Sequence, residues 1–162
     1  MKEIPLTRGK VAIVDDDMYE YLSQWKWSYS NSYAARHERK NHSQTSIYMH
    51  RAILGTPNGM DTDHINMNKL DNRRENLRTC TRSQNKMNQE KIGNGTSKYK
   101  GVYWRSKEKK WSAGIMINQK KIHLGVFNTE EEAARAYDLG AKRLYGEFSR
   151  TNFDSSELEK EN

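Results

Sequence analysis

Residues 91–97, KIGNGTS, contain two glycines, an asparagine, a serine and a threonine, and no apolar period runs through them. A stretch of this kind reads as a linker, and it cuts the chain into two parts, each too short for a large core. Hydrophobic residues make up 34% of the sequence and charged residues 30%, so each part should bury a small core under a charged surface. The expected fold class is α+β. Residues 1–90 form an N-terminal β extension leading into a strand–turn–strand–helix unit. Residues 98–153 form a three-stranded antiparallel sheet packed on one helix, and the acidic tail 154–162 is expected to be disordered.

Short elements follow from local pattern. Residues 10–14 are apolar and β-branched. Residues 25–30 alternate and should meet 33–37 across Ser30-Asn31-Ser32, with a further strand at 45–49. Asp15-Asp16-Asp17 should cap a short helix over 18–23, and residues 50–54 should start another, stopped by Gly55 and Pro57. Residues 63–65 end a strand, 66–69 turn, 72–76 include a helical turn, and Thr81 caps a helix over 82–89. In the second part, strands are expected at 99–104, 111–117 and 121–127. Thr129-Glu130-Glu131-Glu132 then opens a helix as a capping box, with its acids near the positive end of the dipole. Ala133, Tyr137, Ala141 and Leu144 fall on one stripe of that helix, and Gly146 ends it.

Charge narrows the partner. The formal net charge is +7, and the pI is about 9.4. Residues 91–150 carry thirteen Lys/Arg against six Asp/Glu, with Glu108 alone opposing eight basic residues between Lys98 and Lys121. A polyanion, nucleic acid first, is the expected partner. The single cysteine, Cys80, excludes an internal disulfide and a thiolate zinc cluster, and is expected to be a small buried residue. No membrane span or signal peptide is visible, so a cytoplasmic location in a bacterial or phage-infected cell is expected.

The chemistry gathers at Asp63-His64, Asn76 and Asn85. Asp63 and Asn85 offer hard oxygens to Mg²⁺, with Mn²⁺ as a substitute; such an ion keeps most of its water. His64 can take a proton from an attacking water near neutral pH. Asn76 would stay off the metal and tie backbone across the hairpin. Arg73, Arg74, Arg78 and Arg82 lie close by and suit bidentate phosphate contacts. The set suits a phosphodiesterase that uses one metal ion.

The runs MHRAILG, DTDHINMNKLDNRRENLR and TRSQNKMN resemble the HNH (ββα-metal) nucleases, in particular the small homing endonucleases of phages and mobile introns. The likeness spans roughly residues 48–88. It implies His64 as general base, Asn76 as the loop-ordering residue, and Asp63 and Asn85 as metal ligands. The turn after the histidine, often glycine-containing in that family, is Asn66-Met67-Asn68 here, and asparagine's tolerance of positive φ should make up for the missing glycine. Asn rather than His at position 85 favours Mg²⁺ or Mn²⁺ over softer ions.

Residues 97–153, with their Gly101-Val102 pair, LGVF, EEAARAYD and final Asn152-Phe153, resemble the ethylene-response-factor (Apetala-type) DNA-binding domain. That likeness implies a sheet laid in the major groove of double-stranded DNA. Arg105 falls on a DNA-contacting arginine, Tyr103 and Lys121 replace arginines, and His123 replaces a tryptophan. Lys107, in the next turn, is counted with them. Gly114 and Met116 stand where plant domains have acidic and basic residues, so base preference should not carry over. Trp111 is expected in the core, and Trp104 is open between core and DNA face.

The combined expectation is a Mg²⁺-dependent homing-type endonuclease that nicks DNA and leaves 5′-phosphate and 3′-hydroxyl ends. It is expected to act as a monomer, with a dimer as the other possibility. A DNA-binding regulator with a silent nuclease unit, and a restriction or defence nuclease, stay open. Asp15–Asp17 are expected to cap rather than bind a cation, and His50 to pack or hydrogen-bond rather than ligate. Trp25 and Trp27 should share a strand face in the N-terminal core. His37 and His42 belong to a basic hairpin.

Overall fold

The computed structural model describes residues 1–40, 43–89 and 95–154. The chain divides into two compact units, Met1–Asn85 and Lys86–Asn162. His42, most of the 91–97 stretch and the tail from residue 155 lie outside the described residues.

In the first unit, β1 (Lys2–Pro5) and β2 (Val11–Val14) form an antiparallel hairpin. The pairing of β1 with β2 is new; the apolar, β-branched run at 10–14 pointed only to β2. Helix α1 (Asp16–Leu22) follows. Asp15 stands at its N-cap, yet its side chain makes no cap bond; the carboxylate accepts the Arg74 backbone N–H at 2.8 Å instead. Next come β3 (Ser28–Ser30), β4 (Tyr33–Lys40) and β5 (Ser43–Tyr48), one antiparallel sheet. The β3–β4 turn puts both Asn31 and Ser32 at positive φ, as a two-residue hairpin requires. Trp25 and Trp27 precede this strand rather than belonging to it. Trp27 is buried and donates Nε1–H to the Leu22 carbonyl at 2.8 Å, while the Arg36 guanidinium lies 4.4 Å from the Trp25 ring. The core joins Ile4, Ala12, Val14, Leu22, Trp27, Ala34 and Met49.

Helix α2 (Met49–Leu54) ends at Gly55, whose φ of 60° is the left-handed cap. Then β6 (Asp61–His64) pairs antiparallel with β7 (Leu77–Cys80), and α3 (Arg82–Asn88) follows. Thr81 accepts the Gln84 N–H at 3.2 Å, and Gln84 Oε1 accepts the Thr81 N–H at 2.8 Å, a reciprocal cap. Strand, loop, strand and helix are thus in the expected order.

In the second unit, β8 (Val102–Arg105), β9 (Lys110–Ile117) and β10 (Lys120–Phe127) form one antiparallel sheet in the order β10-β9-β8. Helix α4 (Glu130–Tyr145) carries the complete Thr129/Glu132 capping box. Val102, Ala113 and Ile115 meet Ala133, Tyr137 and Ala141 in the core. Leu144, placed on that stripe by spacing, is exposed, while Tyr145 beside it packs on the core and donates its hydroxyl to the Met116 carbonyl at 2.6 Å. The first strand starts at Val102, not 99. Gly101 sits at φ +75°, and a Cβ there would stand 1.9 Å from the Tyr137 ring, so the backbone turns under the helix before it extends. Asp138, buried on α4, accepts N–H groups of Asn152 and Phe153 at 2.8 and 2.9 Å and ties the end of the unit to its helix.

Candidate active site and nucleic-acid face

Alternation along β6 sends Asp61 and Asp63 to one face and Thr62 and His64 to the other. His64 is buried. Its Nε2 lies 3.2 Å from Asn72 Oδ1, and the rings of Tyr33 and His50 lie 6.0 and 5.1 Å from its own. Asn72 donates through Nδ2 to the Leu70 carbonyl at 3.2 Å, which fixes the amide with its oxygen toward the imidazole. Nε2 must then donate, and Nδ1 carries the lone pair. Desolvation, more than any other cause, holds the His64 pKa below 6.5; the Asn72 bond and the charges of Asp63 and Asp71 act the other way.

The loop bearing Asn72 is built by two supports. Asn76, buried, accepts the Asn66 N–H on Oδ1 at 2.9 Å and donates Nδ2–H to the Asp71 carbonyl at 2.8 Å. From outside, the edge of β2 adds a short parallel pairing: Ile13 N–H donates to Leu70 O and Asn72 N–H to Ile13 O, both at 2.8 Å. The N-terminal extension therefore braces the residue that orients His64. In the turn itself, Met67 and not an asparagine takes positive φ, 64°. Asn66 and Asn68 instead accept backbone N–H groups two residues on, at 2.8 and 3.1 Å, so their side chains close the turn.

On the other face of β6, Asp63 accepts from Arg78, its partner across the hairpin, at 2.9 Å from Nε and 2.7 Å from a terminal nitrogen. Asn85 donates Nδ2–H to Asp61 Oδ2 at 3.1 Å. The expected pair Asp63 and Asn85 thus each engage another residue, and Asp61, absent from the sequence reading, joins the set. Its signal was its spacing, two residues before Asp63 on one strand. Among the described residues no group of three His, Cys, Asp or Glu is arranged to hold a metal. The two expected donors, the Asp63 carboxylate and the Asn85 amide oxygen, are both hard oxygens, which fits a divalent ion that keeps most of its water. An ion on Asp63 has to share that carboxylate with Arg78. A cavity of about 230 Å³ lies alongside, and its lining includes Tyr48, His50, Arg51, Asp61, Thr62 and Asn85. His50 packs on Tyr48, its pKa is lowered by burial to about 3, and its buried Nδ1 has no hydrogen-bond partner among the described residues.

The arginines expected to grip phosphate are mostly engaged inside the fold. Arg73 pairs with both oxygens of Asp71 at 2.8 and 2.7 Å and also with Glu75. Arg74 holds Asp17 at 2.7 Å. Arg78 holds Asp63. Arg82, at the start of α3, is exposed. Acidic residues three or fewer positions away, or brought close by folding, outcompete distant phosphate while no DNA is bound.

The second unit places its expected residues together. The registers Lys121↔Met116, His123↔Gly114 and Tyr103↔Ser112 put Tyr103, Arg105, Lys121 and His123 on the sheet face opposite α4. The Lys121 ammonium lies 3.8 Å from the centre of the Tyr103 ring, crossing Gly114, where a Cβ would meet the Lys121 chain at 2.9 Å. Arg105 pairs with Glu108 at 2.5 Å, and Lys107 is exposed in the turn. Trp104 lies opposite Trp111, ring centres 5.0 Å apart, on the helix side of the sheet. The open question about Trp104 is thereby answered: it borders the core and stays off the basic face.

Residues 48–87 match the family described as HNH endonuclease, and residues 97–147 match the AP2 domain. An uncharacterized HNH endonuclease of Acanthamoeba polyphaga mimivirus is 31% identical over 147 residues, 90% of this chain and 76% of that protein. An ethylene-responsive transcription factor of Arabidopsis thaliana is 44% identical over 64 residues, 38% of this chain and 15% of its own length. An APETALA2-like protein of Oryza sativa is 47% identical over 62 residues, 37% of this chain and 14% of its own.

Proposed function

Because the chain belongs to the HNH endonucleases and carries an AP2 domain after its nuclease unit, we propose that it nicks double-stranded DNA. One phosphodiester bond is hydrolysed per engagement, leaving 5′-phosphate and 3′-hydroxyl ends. The observation that carries this reading is the state of His64: buried, its pKa held below the ordinary 6.5 by desolvation, and bonded through Nε2 to Asn72. An imidazole in that state accepts a proton on Nδ1 from an attacking water. Asn76 holds the loop that presents Asn72, and so maintains the ring's orientation. Asp63 and Asn85 would hold Mg²⁺, or Mn²⁺ in its place, and the ion would supply charge neutralisation for the phosphodiester. Tyr103, Arg105, Lys107, Lys121 and His123 hold the duplex from the outer sheet face, and Arg82 adds a phosphate contact. One site per chain makes the monomer a nicking enzyme of homing type, with residues 1–90 for cleavage and 98–153 for binding.

One observation favours a second reading, a DNA-binding regulator with a silent nuclease unit: Asp63 is already neutralised by Arg78. His64→Ala separates the two. In Mg²⁺ the variant should lose plasmid nicking while gel-shift affinity stays within about twofold, since the ring makes no phosphate contact in this scheme. A parent protein that never nicks in Mg²⁺ or Mn²⁺ leaves the regulator standing.

A further inference from the structure

We infer that Asp61 is a positioning residue for the ion site: it orients the Asn85 amide so that the oxygen, not the nitrogen, is presented to a divalent cation. The inference rests on the proposal that Asn85 is an ion ligand, and adds a residue and a role to it.

An asparagine side chain has an oxygen and a nitrogen of similar size on one carbon, and only the oxygen ligates a hard cation. Left alone, the group presents either end. A carboxylate accepts and never donates, so the group next to it must turn its NH₂ toward it. Asp61 Oδ2 receives Asn85 Nδ2–H at 3.1 Å, and the amide oxygen is therefore the end left for an ion. The same bond draws electron density toward that oxygen and strengthens it as a ligand.

Both partners are themselves fixed. Asp61 stands opposite Cys80 in the β6–β7 register, and the Cys80 thiol donates to the Asp61 carbonyl at 3.7 Å. Cys80 ends β7, the Thr81 cap follows, and the Asn85 N–H donates to the Thr81 carbonyl at 2.9 Å. The first turn of α3 thus returns over the start of β6 and brings position 85 to position 61. Asp61 and Asp63 share one face of β6, roughly 6.6 Å apart along the strand. The bond also accounts for an amide at position 85: a carboxylate there would face Asp61 with no proton to share.

The test is Mn²⁺ binding to the full chain without DNA, read by electron paramagnetic resonance and competed with Mg²⁺. Asp61→Ala should weaken binding about 10–100-fold, the usual loss when a ligand's supporting partner is removed. Asp61→Asn keeps an acceptor oxygen and should stay within about threefold of the parent. In an Asn85→Ala background, adding Asp61→Ala should cost less than about twofold, because a positioning residue acts through what it positions. Asp61→Asn falling as far as Asp61→Ala overturns the inference in favour of bare charge. A further tenfold or greater loss in the Asn85→Ala background overturns it in favour of direct ligation. Asn85→Ala binding Mn²⁺ like the parent strikes the ligand assignment underneath instead. Should Asp61→Ala not fold, NMR of the parent decides: the Asn85 side-chain NH₂ should be protected from exchange, and Mg²⁺ should shift its carbonyl carbon. An NH₂ exchanging as in free asparagine overturns the proposal.

Discussion

Asn72→Asp should raise the pKa of His64 and move the acid limb of the cleavage profile upward. The substitution is nearly isosteric and places a carboxylate where the amide oxygen now stands, 3.2 Å from Nε2. In the parent, desolvation dominates and keeps the ring below 6.5. A negative charge about 4 Å from the ring's positive charge interacts by about 4 kcal/mol at an effective dielectric of 20, equivalent to ~3 pK units. Part of this is lost because position 72 is fully buried, and the new carboxylate must itself be desolvated beside Asp71. A net rise of roughly 1–3 units is expected, the usual range for an opposite charge at this distance. The bond from Asn72 to the Leu70 carbonyl also goes, at about 1 kcal/mol of stability. The assay is a ¹H–¹³C NMR titration of His64, paired with kcat/KM for plasmid nicking from pH 5 to 9. Both midpoints should rise by about a unit or more, with nicking slowed at pH 6 and restored at pH 8. A folded variant whose His64 midpoint is unmoved refutes the contact. A midpoint that moves while the nicking profile does not refutes His64 as the base.

Acid should weaken the first unit through its histidines. His50, at about 3, and His64 both titrate lower when folded than the ordinary 6.5, so below that value the unfolded chain binds more protons. Stability is complete above pH 6.5 and falls as pH drops through the window beneath it, by up to ~1.4 kcal/mol per unit per histidine. Urea midpoints between pH 7.5 and 4.5 check this, and His50→Gln should flatten the slope. Asp138→Asn should cost the second unit about 1–3 kcal/mol by setting an NH₂ against an N–H donor, read as a drop in thermal midpoint. Lys121→Ala should lower the slope of log affinity against log salt by about 1, while Arg73→Gln, its parent side chain occupied by Asp71, should leave it unchanged. Fluorescence anisotropy between 50 and 200 mM salt, taken as about the usual working range, reads both.

The order of elements was written in local pattern. The Thr81 cap, the Thr129/Glu132 capping box, the stop at Gly55 and the turn at Asn31-Ser32 each need only neighbouring residues, and each formed where the sequence placed it. Ala133, Tyr137 and Ala141 could be placed in the core for the same reason, since a helix fixes its own faces. The run that holds Asp63, His64, Asn76 and Asn85 likewise marked a hairpin followed by a helix.

Partners were a different matter. Nothing near Asp63 in sequence says that Arg78 will hold it, or that Asn85 will meet Asp61; both follow from the β6–β7 register and the return of α3. Arg74 read as a phosphate ligand, and only folding brings Asp17, distant in sequence, to it. The role of Asn72 depends on β2, some sixty residues earlier, pairing with the loop that carries it. The sequence determined which groups can ionise, ligate or cap, because those are properties of a residue and its neighbours along the chain. The tertiary structure decided which of them face one another, because hydrogen bonds and ion pairs act over a few ångströms of space, whatever the separation in sequence.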